Sequence, residues 1–288
     1  MPTLPRHLPS PRSRGFTMIE LVVVMVLITI IGASVAVFVR PAIVAYTDTR
    51  DRSALSDMGD TALRRMVRDI RQAVPNSLRT PAITCFELTP TIAGGRYRMG
   101  PNAANNAAFV DTSQPTTSFD VLSTLSRTPA VGDFVVINNQ NGNDVHVGSN
   151  RSAITAVATP TSDQGTLRLS IGSLQVSPGY SGGRFQVVSS AEQSVFYVCD
   201  NPGLSADGAT GTGTLYRIKG DFSAAYPTAC PATTGGAVLA TQVSRCRFIY
   251  DPNKGATQQS GFVYLELALT RNRETASLSH GAHVVNVP

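Results

Sequence analysis

The most prominent pattern in the chain is an uninterrupted apolar stretch near its N-terminus. Residues 16–39 are 24 positions long and contain one charged side chain, Glu20. At about 1.5 Å per residue they form a helix of roughly 36 Å, which exceeds a bilayer hydrocarbon core of about 30 Å. The pattern therefore predicts a transmembrane helix over residues 16–40, with Arg40 able to reach the far interface.

A second helical pattern follows the apolar stretch. Apolar and small residues recur at steps of three and four, which is typical of an amphipathic helix. They are Leu55, Gly59, Ala62, Leu63, Met66, Val67, Ile70 and Val74. The other face carries Arg64, Arg65, Arg68 and Arg71 and is most simply a solvated or subunit-facing surface. Because Pro75 cannot continue a helix, we predict an amphipathic continuation over residues 41–75.

Short runs of β-forming residues make up the rest of the chain. The predicted strands are Ile83–Leu88, Ser118–Ser123, Asp133–Ile137, Thr166–Ile171, Arg184–Ser189, Ser194–Asp200, Thr214–Lys219, Gln242–Tyr250, Phe262–Thr270 and His283–Val287. Gly- and Asn-rich segments 92–108 and 138–144 and the turn-rich segment 201–213 are predicted to be loops. The predicted fold class is α+β, a long N-terminal helix packed on an antiparallel, β-rich body over residues 76–288.

Charge is concentrated before the apolar stretch. Residues 1–15 contain Arg6, Arg12 and Arg14 and no acid, which predicts a cytoplasmic N-terminus. These arginines supply three of the five net positive charges, so the chain from residue 16 onward carries only +2. A nucleic-acid partner is not favoured, because it requires a concentrated basic face. With 42% apolar and 15% charged residues, the chain has enough apolar material for a buried core.

An ordinary secretory signal peptide is one alternative for the N-terminus, and Ser34 and Ala36 supply a small-x-small pair. An unprocessed membrane anchor is another. The apolar run is longer than the usual 7–15 residues of a signal peptide. A carboxylate within a membrane helix costs about 2.5–3.5 kcal/mol on insertion scales, and a disposable signal has no reason to carry it.

The run Gly-Phe-Thr-Met-Ile-Glu over residues 15–20, followed at once by the apolar stretch, resembles the class III signal of type IV pilins and type II secretion pseudopilins. The resemblance implies a leader peptide over residues 1–15, cleavage by prepilin peptidase after Gly15 and N-methylation of Phe16. It also implies that the Glu20 carboxylate pairs with a neighbouring subunit's terminal amine during assembly. Major pilins have a proline near the middle of the span, whereas the nearest proline here is Pro41.

Further segments resemble MshO-type minor pilins of MSHA pilus biogenesis, with PilW-type minor pilins as close competitors. They are Tyr46–Arg50, Pro75–Arg79, Ile83–Cys85, Val198–Asp200, Thr214–Arg217 and His283–Pro288. This resemblance implies a structural subunit of a type IV pilus rather than an enzyme. Its expected partners are prepilin peptidase, other major and minor pilins, and the inner-membrane assembly machinery. The expected location is the inner membrane, single-pass, with a periplasmic globular domain, and the pilus after assembly.

The four cysteines are Cys85, Cys199, Cys230 and Cys246. They lie in the part predicted to be outside the cytoplasm, where disulfides persist. Their spacing fits no zinc site, and four cysteines allow three connectivities. We predict two disulfides and favour Cys199–Cys230 across a Gly-rich hairpin with Cys85–Cys246 between distant strands.

One motif is typical of serine hydrolases and leads to an alternative function. Residues 179–183 match G-x-S-x-G, with Ser181 as the possible nucleophile. A nucleophile elbow requires a helix after the serine, but residues 184–189 form a predicted strand. A glycine-rich turn is the simpler interpretation. A membrane-anchored periplasmic hydrolase and a type II secretion pseudopilin are the alternatives to a pilus subunit.

Two other segments contain metal-ligand residue types. His280 and His283 are three residues apart, but their segment is predicted to be extended and has no adjacent carboxylate cluster. Residues 138–144 are rich in side-chain oxygens but do not follow the spacing of a calcium loop, and a polar hairpin turn is the default. We therefore predict no catalytic residue, no metal and no cofactor.

Overall fold

The computed structural model describes residues 15–178, 182–253 and 260–285. The chain divides into two units, residues 1–50 and residues 51–288. Helix α1 spans Met18–Arg71 and contains Pro41 in its interior. Its most apolar 18-residue window has a mean hydropathy of 3.0 and no buried residue. By length and composition this helix can cross a membrane.

The amphipathic part of α1 ends earlier than the sequence pattern predicts. The last helical residue is Arg71 rather than residue 75. Just beyond it, the Val74 N–H donates to the Thr89 carbonyl at 2.8 Å, so the backbone joins the β-rich body before Pro75 is reached.

Thirteen strands and one short helix follow α1 in the part of the chain that the structure describes. The strands are β1 (Arg79–Ala82), β2 (Cys85–Leu88), β3 (Ala93–Arg96), β4 (Thr116–Val121), β5 (Phe134–Val136), β6 (Arg151–Ala158), β7 (Leu167–Leu174), β8 (Arg184–Val188), β9 (Ser194–Asp200), β10 (Gly213–Gly220), β11 (Ala237–Asp251), β12 (Ser260–Arg271) and β13 (Glu274–Val285). Helix α2 (Asp144–Val147) lies between β5 and β6. Segment 138–144, predicted to be a turn, thus leads into this helical turn.

The strands form two antiparallel sheets. The seven-stranded sheet has the order β1-β2-β9-β10-β11-β12-β13, and the six-stranded sheet has the order β3-β8-β5-β6-β7-β4. Strand β2 pairs directly with β9, with Cys85 opposite Val198. The whole six-stranded sheet is therefore an insertion between two neighbouring strands of the seven-stranded sheet.

Strands β1, β3 and β6 and most of β13 are missing from the sequence-based prediction. Strand β3 lies within segment 92–108, which was predicted to be a loop because of its glycines. A Cβ at Gly95 would meet the Ser123 hydroxyl oxygen, so the lack of a side chain lets this strand pack closely. Strand β13 begins at Glu274, whereas the sequence pattern predicted a strand only from His283. The earlier part was missed because its outward positions are small and polar, which weakens the hydrophobic signal.

The C-terminal half of α1 packs on the seven-stranded sheet. Leu55, Leu63 and Met66 are fully buried in the same cluster as apolar residues from β9 to β13. At Gly59 a Cβ would lie 2.7 Å from Leu278 of β13, so the glycine allows helix and sheet to approach closely. The structure confirms the predicted α+β class, with a long N-terminal helix whose part after residue 50 packs on an antiparallel β-rich domain.

Two disulfides are present, as the sequence predicts, but their connectivity differs from the favoured one. Cys85 pairs with Cys230, and Cys199 pairs with Cys246. Cys199 of β9 and Cys246 of β11 flank β10 and share the same buried cluster. The prediction of Cys199–Cys230 and Cys85–Cys246 was therefore wrong.

The long connection between β10 and β11 explains the actual pairing. Arg79 of β1 donates from Nη1 to the carbonyls of Ser223 and Ala225, each at 3.2 Å. These bonds hold the connection against the β1–β2 hairpin, which places Cys230 beside Cys85 of β2. The spacing of residues 199 and 230 suggested a local hairpin, whereas the chain returns to a strand 145 residues earlier.

A buried polar network joins the two sheets. The Arg79 and Glu87 side chains are each 1% exposed and form an ion pair at 2.6 Å. Arg79 also donates to Asn143, just before α2, at 2.8 Å. His146 of α2 contacts the Ser77 carbonyl at 3.1 Å. Burial lowers the pKa of His146, although the nearby Glu87 carboxylate opposes that shift.

Candidate functional site

The candidate processing and assembly site is the segment that leads into α1. Gly15, Phe16 and Thr17 precede the helix and are exposed, with Phe16 83% accessible. No atom lies within 4 Å of a Cβ built at Gly15. The Gly15–Phe16 peptide bond is thus in non-helical, accessible backbone, which is the state that a peptidase needs.

Thr17 and Glu20 cap the N-terminus of α1 with two reciprocal hydrogen bonds. The Thr17 N–H donates to Glu20 Oε2 at 3.3 Å, and the Glu20 N–H donates to Thr17 Oγ1 at 3.3 Å. This is a capping box, which satisfies two backbone donors that a helix start otherwise leaves without partners. The Glu20 carboxylate therefore has a structural partner within its own chain.

Residues 10–36 match the family model of the prokaryotic N-terminal methylation motif. This match covers the exposed Gly15–Phe16 bond and the capping box together. The N-terminus of the chain therefore carries a prepilin-like motif. The motif implies processing by prepilin peptidase and partners in pilus-type assembly. No curated protein and no solved structure matches the chain.

Thr17 is the residue of this prepilin-like segment that the sequence interpretation missed. The signal was present, since a threonine three residues before a glutamate and ahead of an apolar run is the pattern of a capping box. Roles in processing and assembly are predicted for Gly15, Phe16 and Glu20. The structure adds that Glu20 also has a local task at the helix terminus.

Inside the β-rich body, a buried polar cluster joins α1 to the seven-stranded sheet. The Tyr197 hydroxyl donates to Asp69 Oδ2 at 2.7 Å, and Arg217 Nε donates to the same oxygen at 2.9 Å. Burial, reinforced by the Asp69 charge, raises the pKa of Tyr197, so the phenol keeps its proton and remains a donor. Arg217 also pairs with Glu192.

The enzyme-like and metal-like segments do not assemble into a site in the described residues. Residues 179–181, including Ser181, lie outside the described residues, but the segment that follows is strand β8 and not a helix. His280 and His283 alternate to opposite faces of β13: His280 lies 3.8 Å from Asp60 of α1, whereas His283 packs against Phe262. The described part of the chain contains no group of three or more metal-ligating His, Cys, Asp or Glu side chains.

Proposed function

We infer that this prepilin-like protein is a minor, structural subunit of a type IV pilus of the MSHA type, incorporated into the pilus or its initiation or tip complex. The observation that carries the proposal is the methylation motif at the head of α1, whose most apolar stretch has no buried residue. The large, two-sheet body with two disulfides supports a role outside the cytoplasm. Its size favours a minor over a major subunit.

The proposed mechanism begins in the inner membrane. Prepilin peptidase cleaves after Gly15, and the new amino terminus on Phe16 is methylated. The apolar half of α1 then leaves the lipid and packs among the helices of other pilins, with the body in the periplasm. In this dry bundle, the Glu20 carboxylate pairs with a neighbour's terminal amine, because an unpaired carboxylate in an apolar environment is costly.

Processing is tested by changing Gly15 to leucine. Nearly all of the variant should remain uncleaved, because a side chain at this position keeps the peptidase from the backbone. The matched control is Gly32→Leu, the same change at an exposed glycine within α1. At Gly32, as at Gly15, no atom lies within 4 Å of a built Cβ. Mass spectrometry of the membrane form should show N-methylated Phe16 at the start of the wild type and the control. A mature chain that begins at Val37 would instead identify ordinary signal-peptidase cleavage and refute the proposal.

Assembly is tested by a pair of variants that separates the charge of Glu20 from its capping role. Glu20→Gln removes the charge but retains a residue that can complete a capping box. Thr17→Ala breaks the capping box but keeps the carboxylate. We expect both variants to be inserted and cleaved. Co-purification of partner pilins from detergent extracts should fall by about tenfold or more for Glu20→Gln, on the scale of a desolvated charge pair.

Thr17→Ala should recover partners at close to the wild-type level, because its carboxylate can still meet a neighbour's amine. Normal partner recovery with Glu20→Gln would refute the assembly role. Loss of cleavage alone in that variant would show that Glu20 serves peptidase recognition instead.

Two alternatives share parts of this picture. A type II secretion pseudopilin carries the same kind of motif, and co-purification with secretion-system rather than pilus subunits would identify it. A membrane-anchored hydrolase would use Ser181. Labelling of the wild type, but not of Ser181→Ala, by a fluorophosphonate probe would favour that alternative.

A further inference from the structure

A basic cleft lies where the inserted six-stranded sheet joins the rest of the body. It has a volume of about 520 Å³ and is lined by the end of α1, the segments Pro90–Ile92 and Ser189–Glu192, Arg127 and part of β10. The two segments carry the chain into and out of the six-stranded sheet. The Ser126 hydroxyl contacts the Ile92 carbonyl at 3.5 Å, which places the Arg127 segment against the first of them.

The charge of the basic cleft is unbalanced. Its lining contains four arginines and one lysine but only two carboxylates, Asp69 and Glu192. Both carboxylates are already occupied. Asp69 accepts from Tyr197 and Arg217, and Glu192 pairs with Arg217 and with Lys219.

Arg68 and Arg127 carry the remaining positive charge. Both are exposed, and neither forms an ion pair with a carboxylate in the described ranges. They come from different elements, α1 and the β4–β5 connection, yet line the same cleft. Two cations without counterions in one concave site repel each other, and an anion between them relieves that repulsion.

The basic surface is longer than this cleft. A neighbouring cleft of about 370 Å³ shares Arg65 and Arg68 with it and continues along α1 to Thr61. Arg71, one helical turn beyond Arg68, is also exposed. The combined surface therefore suits an extended ligand with several negative groups better than a single compact anion.

We propose that the basic cleft binds an acidic segment of a partner protein, with carboxylates of that segment placed at Arg68 and Arg127. A nucleic acid is the less suitable polyanion, because single-stranded binding sites add aromatic side chains for base stacking. None of the residues that line the cleft is aromatic. The rim residues Pro90, Ile92 and Ala191 offer apolar surface to the stems of peptide side chains.

The experiment uses the full-length protein in neutral detergent and a fluorescein-labelled octapeptide of alternating Glu and Ser. Fluorescence anisotropy should detect binding that weakens as salt rises, because exposed charges are screened. The matched peptide with Gln at every Glu position should bind at least about tenfold more weakly, since its charge interactions are lost.

The variant Arg68→Gln with Arg127→Gln should lose roughly tenfold in affinity for the Glu peptide, if each contact is worth about as much as an exposed ion pair. The control is Arg247→Gln with Arg273→Gln, two exposed arginines that do not line the cleft. It should bind as the wild type does. Because Arg68 and Arg127 have no ion-pair partner in the described part of the chain and repel each other, their replacement should not lower the thermal unfolding midpoint.

Three results would overturn the proposal. One is equal affinity for the Glu and Gln peptides, and another is an equal loss of affinity in the control variant. The third is preference for a different anion, shown when inorganic phosphate or a single-stranded oligonucleotide of equal charge displaces the labelled peptide more effectively than unlabelled peptide does. None of these results depends on cleavage after Gly15, so they are separate from a failure of the pilus assignment.

Discussion

Replacement of Cys85 and Cys230 by serine is expected to lower the free energy of unfolding by about 5 kcal/mol in the chain-entropy model. This disulfide closes a loop of 145 residues that contains the whole six-stranded sheet. The Cys199–Cys246 disulfide closes a separation of only 47 residues. In the same model its removal by a double serine variant costs about 4 kcal/mol.

The measurement is urea unfolding of the detergent-solubilised full-length protein, followed by circular dichroism because the chain has no tryptophan. Non-reducing peptide mapping of the wild type provides the control for connectivity. Complete alkylation of all four cysteines under native, non-reducing conditions would show that the disulfides do not form. A larger loss for the Cys199–Cys246 variant would contradict the dependence on loop length.

The same disulfides show which part of the fold can be predicted from sequence. An even number of cysteines in a segment expected outside the cytoplasm predicts two bridges. The connectivity depends instead on Arg79, whose bonds to the carbonyls of residues 223 and 225 direct a distant connection. No local pattern shows that a buried arginine on β1 holds a segment more than 140 residues away.

Strand prediction succeeded where apolar residues alternate and failed where packing requires small residues. Strands β9, β10 and β12 follow the sequence pattern closely, because one face of each is buried in the core. Strand β3 fails because Gly95 is needed for close contact with Ser123, and glycine by itself favours a loop. The insertion of one sheet between β2 and β9 follows only from their pairing.

The functional sites likewise include one that is visible in the sequence and one that is not. The Gly15–Glu20 motif is local, so it is visible in the sequence, whereas the part of Thr17 in the capping box was missed. The basic cleft is not local, because Arg68 and Arg127 come from elements that the sequence alone does not bring together. The arginine face of α1 was predicted as a surface, and the structure shows one end of it within a concave site.

The buried Arg79–Glu87 ion pair should be far more sensitive to mutation than a surface pair of the same length. Glu87→Leu leaves the Arg79 guanidinium buried without a counterion, and we expect a loss of about 3–5 kcal/mol in the free energy of unfolding. Ser194 also loses its acceptor, since its hydroxyl donates to Glu87 at 2.6 Å. Urea unfolding of the detergent-solubilised protein provides the measurement.

A second ion pair, with the same N–O distance but exposed side chains, serves as the control. Asp60 and Arg64 also lie 2.6 Å apart, but their side chains are 35% and 74% exposed. Asp60→Asn should therefore cost less than about 1 kcal/mol. A second variant, Arg79→Met with Glu87→Leu, removes both buried charges and should be more stable than Glu87→Leu alone, because the uncompensated charge is gone. If Glu87→Leu lowers the free energy of unfolding no more than Asp60→Asn does, burial does not make the Arg79–Glu87 pair important for stability. The buried polar network would then not stabilise the junction of the two sheets.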